Sequence, residues 1–391
     1  MQILSRHGAR DPTSKNTVKY NATVQKIHEN ATSYSKEYEF LRDYKYHLGA
    51  DQLNDFGAQQ LFNSGKKFYH RYKALARKLT PFVRASGQQR VIESAYNWNK
   101  GYHDARLVDF PSSDEKYPYP VVIISEETGS NNTLDHGLCT AFESSEIAVN
   151  AQSEWVDIFA VPIAARLNDG LPGANLDNND ALHIMDLCPF ETVASSVGKM
   201  PPFCYLFTKE EWHGYGYYQS LGKYYGYSWG NPLGATQGVG FTNELIARMT
   251  ASPVSDHTST NHTLDGSKET FPVGGKHVLF ADFSHDNDLT GIFSAIGLYN
   301  QTRPLLNNTI EDIIQTNGYS AAWTVPFAAR AYFEKMDCVG EPEELVRVVV
   351  NDRVMPLETC GGDEWGRCRL SAFVESLSFA REGGHWEDCF T

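Results

Sequence analysis

ILSRHGARDPT, residues 3–13, joins a short apolar run to a knot of charge. The run ends at Ser5. Arg6, His7, Gly8 and Arg10 follow at once, and Pro12 closes the stretch. MQILS reads as a buried strand, so the two arginines and the histidine between them sit at its carboxyl end. In open α/β sheets ligands bind beyond that end. A chain that opens this way predicts an α/β fold with its site on the first loop.

Two other segments deliver matching chemistry. KHVLFADF (276–283) is a second strongly buried strand, and Ser284, His285 and Asp286 follow it. TPFVRAS (80–86) is a third strand, and Arg90 falls in the first turn of the helix after it, where free backbone N–H groups also favour an anion. Three arginines, two histidines and a carboxylate thus converge on paper. Guanidinium forks match phosphate oxygens in bidentate geometry. A neutral imidazole beside phosphorus is a nucleophile, and neighbouring cations keep it neutral. A nearby Asp can supply the leaving group's proton. Taken alone, Ser-His-Asp is also an ordinary helix N-cap and Arg90 an ordinary surface arginine. Arg-His-Gly-x-Arg-x-Pro directly after a strand is the stronger signal, and together the segments point to phosphoryl chemistry.

The rest of the chain is read from periodicity. Apolar residues at helical spacing predict a helix within 51–79, another over about 87–100, and a mostly helical stretch over 151–250. YPVVIIS (119–125) is a short strand, 285–299 opens a helix, 329–336 and 344–357 form a late hairpin, and 369–380 is a final helix. The tyrosine-rich run at 215–227 reads as a packed helix face. The order predicts a large α/β domain with a central sheet plus a smaller, mainly α-helical domain. The expected catalytic domain is discontinuous, residues 1–50 and 265–391, with a strand and helix from around 80–125. Residues 51–264 are the expected helical insertion.

Composition narrows the function. With 391 residues the chain exceeds one simple core. A net charge of −14 argues against nucleic acid as a partner, and no apolar run approaches a membrane span. Sequons at Asn21, Asn30, Asn131, Asn261, Asn300 and Asn307 favour a secreted glycoprotein. Seven cysteines without a C-x-x-C pair suggest disulfides with one thiol left over, and no zinc site. The remaining histidines show no metal-ligand spacing, so no metal and no cofactor are expected. MQILS is not a signal sequence, so one is expected upstream of this chain.

LSRHGARDPT together with FSHDND resembles the histidine acid phosphatases. The longer segments EYEFLRDYKYHLGADQLNDFGAQQL, NNTLDHGLC, GNPLGATQGVGFTNELIAR, AAWTVPFAARAY and LVRVVVNDRVMPL are similar to the fungal 3-phytase branch of that family, over essentially the whole chain. The resemblance implies a phosphoglycerate mutase-like histidine phosphatase fold and a small anionic phosphate-ester substrate, myo-inositol hexakisphosphate (phytate), handled by a monomer. It implies His7 as the nucleophile, Arg6, Arg10, Arg90 and His285 as phosphate ligands, and Asp286 as the acid. His-Asp at the second motif distinguishes phosphatases from mutase relatives, which transfer phosphate to an acceptor. Asn287, Asp135, Lys223, Lys15 and Lys19 would form the substrate rim. The implied disulfides are Cys139–Cys389, Cys188–Cys204 and Cys360–Cys368, leaving Cys338 unpaired.

Three departures bear on specificity. Asp11 stands where the fungal enzymes usually carry an aromatic residue. Lys15 lies one place before a family lysine position, which holds Asn16, and Gly222 replaces the first of a lysine pair whose second is Lys223. Each makes the rim less positive. A broad-specificity acid phosphatase is therefore the alternative to a phytase; a truncated, inactive glycoprotein is the other.

Overall fold

The computed structural model describes residues 1–111, 117–274 and 279–391. One mixed sheet organises the chain. Its strands are β1 (Gln2–Arg6), β2 (Phe82–Ser86), β3 (Val121–Ile124), β4 (Phe280–Ser284), β5 (Arg330–Met336), β6 (Leu345–Val350), β7 (Arg353–Val354) and β8 (Arg367–Arg369). The spatial order is β3-β2-β4-β1-β5-β6-β7, with β8 also paired to β6. The first four are mutually parallel; β5 to β8 run antiparallel to their neighbours. Residues 276–278 of the expected strand at 276–283 lie outside the described residues.

The longer helices are α1 (Ser14–Asn30), α2 (Asp55–Arg71), α3 (Gln89–Asp109), α4 (Ile147–Phe159), α5 (Val161–Gly170), α6 (Asn178–Ala194), α7 (Lys209–Tyr227), α8 (Val239–Thr250) and α9 (Asp286–Ala295). Side chains alternate across a strand, so β1 feeds two cores at once. Ile3 packs with Leu61 and Phe68 of α2 and Trp98 and Tyr102 of α3. Leu4 packs on the other side with Phe241 and Leu245 of α8 and Leu289 and Phe293 of α9. A third core, away from the sheet, joins α1 and α4 to α7 through Tyr20, Ile27, Trp155, Ile163, Met185 and Leu221.

This packing divides the chain more finely than the expected boundaries at 51 and 264. Tyr20, Val24 and Ile27 of α1 belong to the helical core, although α1 falls within 1–50. Conversely α2 and α8 cover the sheet beside α3, although 55–71 and 239–250 fall within the expected insertion. Helical periodicity reports that a face is buried, not which core buries it. Helix α3 also runs nine residues past its expected end at 100, to Asp109, and the final helix breaks at Leu377 into Leu370–Ser376 and Ser378–Arg381.

Disulfides join Cys139 to Cys389, Cys188 to Cys204 and Cys360 to Cys368, and Cys338 is a free thiol. Among the sequons, Asn30 and Asn300 are exposed, while Asn131 is half-buried and donates to the Thr260 carbonyl at 2.7 Å.

Candidate active site

The site forms where β1 and β4 end side by side. Arg6 pairs with Ser284 in the parallel register, and the His7 backbone N–H donates to the Ser284 carbonyl at 3.0 Å. Both strands therefore release their motifs at the same height. The loop after β1 then runs against the start of α2. Gly8 lies so close that a Cβ there would strike the Gly57 carbonyl and the Leu61 side chain, and a Cβ on Gly57 would strike Ala9. Asn54 caps α2, accepting from the Gly57 N–H at 2.8 Å, so the helix start that braces the loop is itself fixed.

His7 is buried, and its tautomer follows from one contact. Nδ1 lies 2.8 Å from the Gly8 carbonyl, which can only accept, so Nδ1 carries the proton. Nε2 keeps its lone pair and has no hydrogen-bond partner among the described residues. Burial, then Arg6, His285, Arg90 and Arg10, hold His7 well below the usual imidazole range.

Three guanidinium groups surround it. Arg6 is pinned by an Nη1 hydrogen bond to the Val325 carbonyl (2.6 Å) and by stacking on Phe327 at 4.4 Å. Arg10 donates to the Asp11 carbonyl at 2.7 Å, and Arg90 Nη1 lies 3.8 Å from Asp51. Yet Nε of Arg6, Arg10 and Arg90, and Nη1 of Arg90, are buried without hydrogen-bond partners. Buried donors left unsatisfied are costly, so a cradle that keeps four of them is shaped for an acceptor-rich anion.

Asp286 opens α9, with Arg6 Nη2 at 3.4 Å and the Lys223 ammonium in direct contact. Burial would raise its pKa, but Arg6 and Lys223 hold it well below the usual carboxylate range. Asn287 accepts from the same ammonium. The cleft above has a volume of about 490 Å³. Its lining includes Arg10, Arg90, Asp135, Lys223, His285, Asp286 and Asn287, with Arg6 and His7 buried beneath.

Lys15 and Lys19 are not brought in. Both lie on the exposed side of α1 and neither lines the cleft. Asp11, half-buried against Gly49, is also outside the lining. In their place the structure adds residues the sequence reading missed. Glu126, just past β3, accepts from His285 Nε2 (2.9 Å), Ser86 Oγ (2.5 Å) and the Gln88 N–H (3.1 Å). Asp288 Oδ1 accepts from the His136 N–H at 2.7 Å, and the His136 ring bonds Glu143 at 2.6 Å. Burial and Asp288 push Asp135 up to about 8. Burial would lower His136, but Asp288 and Glu143 carry it to about 9. Glu126, Asp135 and His285 bring ligand atoms within 4.8 Å of one another and could hold a cation. In this structure Glu126 and His285 are instead bonded to each other beside the positive Arg90.

The sequence profile of the histidine phosphatase superfamily (branch 2) matches residues 1–351. Phytase A of Aspergillus fumigatus is 52% identical over 393 residues, covering 100% of this chain and 84% of that protein. Phytase A of Aspergillus oryzae is 51% identical over 393 residues, with the same coverage. Among solved structures, the phytase from D. castellii superposes with a TM-score of 0.79 at 22% identity, covering 97% of this chain and 78% of that one, which shows a shared fold.

Proposed function

The chain belongs to branch 2 of the histidine phosphatase superfamily, and from that premise we propose that it is a secreted 3-phytase-type acid phosphatase that hydrolyses phytate through a phosphohistidine. The observation that carries this is the Nε2 lone pair of His7 beneath four unpartnered guanidinium donors. One phosphate of the substrate takes those donors. Nε2 attacks phosphorus, the N–P bond forms, and the P–O bond to the inositol carbon's oxygen breaks. Asp286 gives its proton to that oxygen. In the second half Asp286, now a carboxylate, takes a proton from water; the new P–O bond forms, N–P breaks, and inorganic phosphate leaves. The arginines supply the charge stabilisation that a metal would otherwise provide.

Asp286 must be protonated for the first half, although Arg6 and Lys223 favour its carboxylate. A bound phosphate opposes both by adding negative charge beside them, which raises the carboxyl's pKa towards use. His7 behaves oppositely: its depressed pKa leaves Nε2 free in mild acid, where an ordinary imidazole is protonated.

Three disulfides and six sequons support an oxidising, extracellular setting, with Asn30 and Asn300 the most accessible glycan sites. Nucleophile, cradle and acid come from one chain, which supports a monomer as the catalytic unit. A broader acid phosphatase is favoured by one observation: Lys223 is the one lysine among the described residues lining the cleft, and it already contacts Asp286.

The test is phosphate release from phytate and p-nitrophenyl phosphate, with acid-labile phosphate labelling, for the wild type and His7→Ala. Loss of turnover and of label is expected. Label retained in His7→Ala would overturn the assignment.

A further inference from the structure

Two cations hold Asp286, and they differ in freedom to leave. Arg6 comes from β1, is tied to the Val325 carbonyl, stacks on Phe327 and lies buried. Lys223 comes from α7, reaches Asp286 and Asn287 on a flexible stem, and lines the open cleft. The other charged or titratable groups around Asp286 are His7 and Arg10 from the first loop, Arg90 from α3 and Tyr227 from α7. His285 and Asp288 flank it on its own segment. Of these cations, Lys223 alone both touches the carboxylate and can swing into the cleft.

A substrate's scissile phosphate goes to the arginine cradle. On a polyphosphorylated ring the next phosphate stands in the cleft, where Lys223 can reach it. A phosphate dianion attracts an ammonium more strongly than a single carboxylate does. We propose that Lys223 is a specificity switch: a phosphate neighbouring the scissile one draws its ammonium off Asp286, so that polyphosphorylated substrates release their proton donor from both cations' hold, whereas a monophosphate opposes that hold only from the cradle and leaves Lys223 in place. The switch rests on the phosphatase reading above, with Asp286 as acid. It places selectivity in turnover as well as in binding, because the lysine that recognises the second phosphate is the lysine that suppresses the acid.

An opposite charge within about 4–6 Å lowers an Asp pKa by about 1–3 units, so removing one of two such charges is readable as a pH shift. The experiment compares pH profiles of kcat for phytate and for myo-inositol monophosphate, both of which lose a secondary inositol alcohol that needs a proton to leave. In the wild type the alkaline limb for phytate should lie about 1 pH unit or more above that for the monophosphate. Lys223→Met should raise the monophosphate limb to the phytate position, increasing its kcat about tenfold at pH values between the two limbs. It should leave the phytate limb in place while raising the phytate KM. Lys223→Arg, which keeps the charge, should keep the monophosphate limb low. Equal loss of kcat on both substrates, with no shift of either limb, would overturn the switch.

A second measurement does not require turnover or a change at Lys223. Infrared difference spectra of aspartate-labelled wild type, assigned with Asp286→Asn, read the protonated carboxyl directly. Inositol hexasulfate should protonate Asp286 at a pH about 1 unit or more above that needed with methyl sulfate, which puts the same monoanionic group in the cradle without reaching Lys223. Protonation at the same pH with both probes would overturn the proposal. Failure of the wild type to release phosphate from either ester would instead defeat the phosphatase reading, and the infrared result would still report on Lys223.

Discussion

Glu126 and His285, 159 residues apart in the chain, share a 2.9 Å hydrogen bond at the edge of the cleft. Burial would raise the Glu126 pKa, but His285, Ser86 and the Gln88 N–H keep it lowered, so the carboxylate accepts and His285 Nε2 donates. That turns Nδ1 towards Arg90 Nη2, 3.5 Å away, and towards the phosphate cradle. Glu126 is therefore a positioning residue for a phosphate ligand. Hydrogen bonds to charged groups contribute about 1.5–3 kcal/mol, so Glu126→Gln should lower kcat/KM about ten- to a hundredfold. Imidazole ¹⁵N spectra should show mixed His285 tautomers in the variant and one in the wild type. Unchanged tautomer and unchanged kcat/KM would refute the role.

His7 should make the first chemical step insensitive to mild acid. p-Nitrophenolate leaves without a proton, so phosphoenzyme formation from p-nitrophenyl phosphate isolates the nucleophile. The burst rate should stay flat as pH falls through 6.5, the ordinary imidazole value, because burial and the arginines depress His7 well below it. A limb near 6.5 would contradict that environment. Stability moves the other way: the unfolded chain binds a proton that folded His7 refuses. His7's contribution to stability is therefore lost as pH falls below 6.5.

A buried ion network under the sheet is a stability device separate from the chemistry. Arg84 of β2 bonds Asp282 of β4 (2.7 Å) and forms a fork with Glu244 of α8 (3.0 and 2.6 Å), while Arg248 bonds Asp282 at 2.5 Å. Breaking a buried pair strands the partner charge, so Glu244→Ala should cost about 3–5 kcal/mol by chemical denaturation. Burial opposes the Asp282 carboxylate, but Arg248 and Arg84 depress its pKa. Its contribution is thus present above the ordinary 3.8 and is lost as pH falls through the lower folded value. A loss below 1 kcal/mol in Glu244→Ala would mean water reaches the network.

Gly222→Lys tests the basic rim. A Cβ at Gly222 meets the Gln152 amide, the far end of a flexible side chain, so the residue fits once Gln152 turns. The added ammonium should lower the KM for phytate more than for p-nitrophenyl phosphate, most clearly at low salt, where screening is weak. Equal shifts for both substrates at two ionic strengths would favour a general acid phosphatase.

The local order around the site is written in the sequence. Arg6, His7 and Arg10 follow a run apolar enough to be a buried parallel strand, and His285 and Asp286 follow another. Chain direction alone then puts both sets at carboxyl ends. Arg90 is legible for the same reason, in the first turn of the helix after β2. Glu126, His136 and Asp288 were not legible. Glu126 and His136 are single polar residues with no spacing that relates them to the motifs, and Asp288, although it closes the FSHDND motif, is one of 48 Asp and Glu with nothing local to show what it faces. They meet because β3 and β4 both pair with β2, in parallel, so the segment after β3 and the start of α9 leave the same end of the sheet. Lys15 and Lys19, which the resemblance placed at the rim, lie outside the cleft lining: α1 turns that face to solvent while Tyr20 and Val24 enter the helical core. Periodicity and motif order are local properties, fixed by covalent spacing. Which core a helix joins, and whether a lysine such as Lys223 reaches a carboxylate 63 residues away, depends on contacts between segments that only the folded chain brings together.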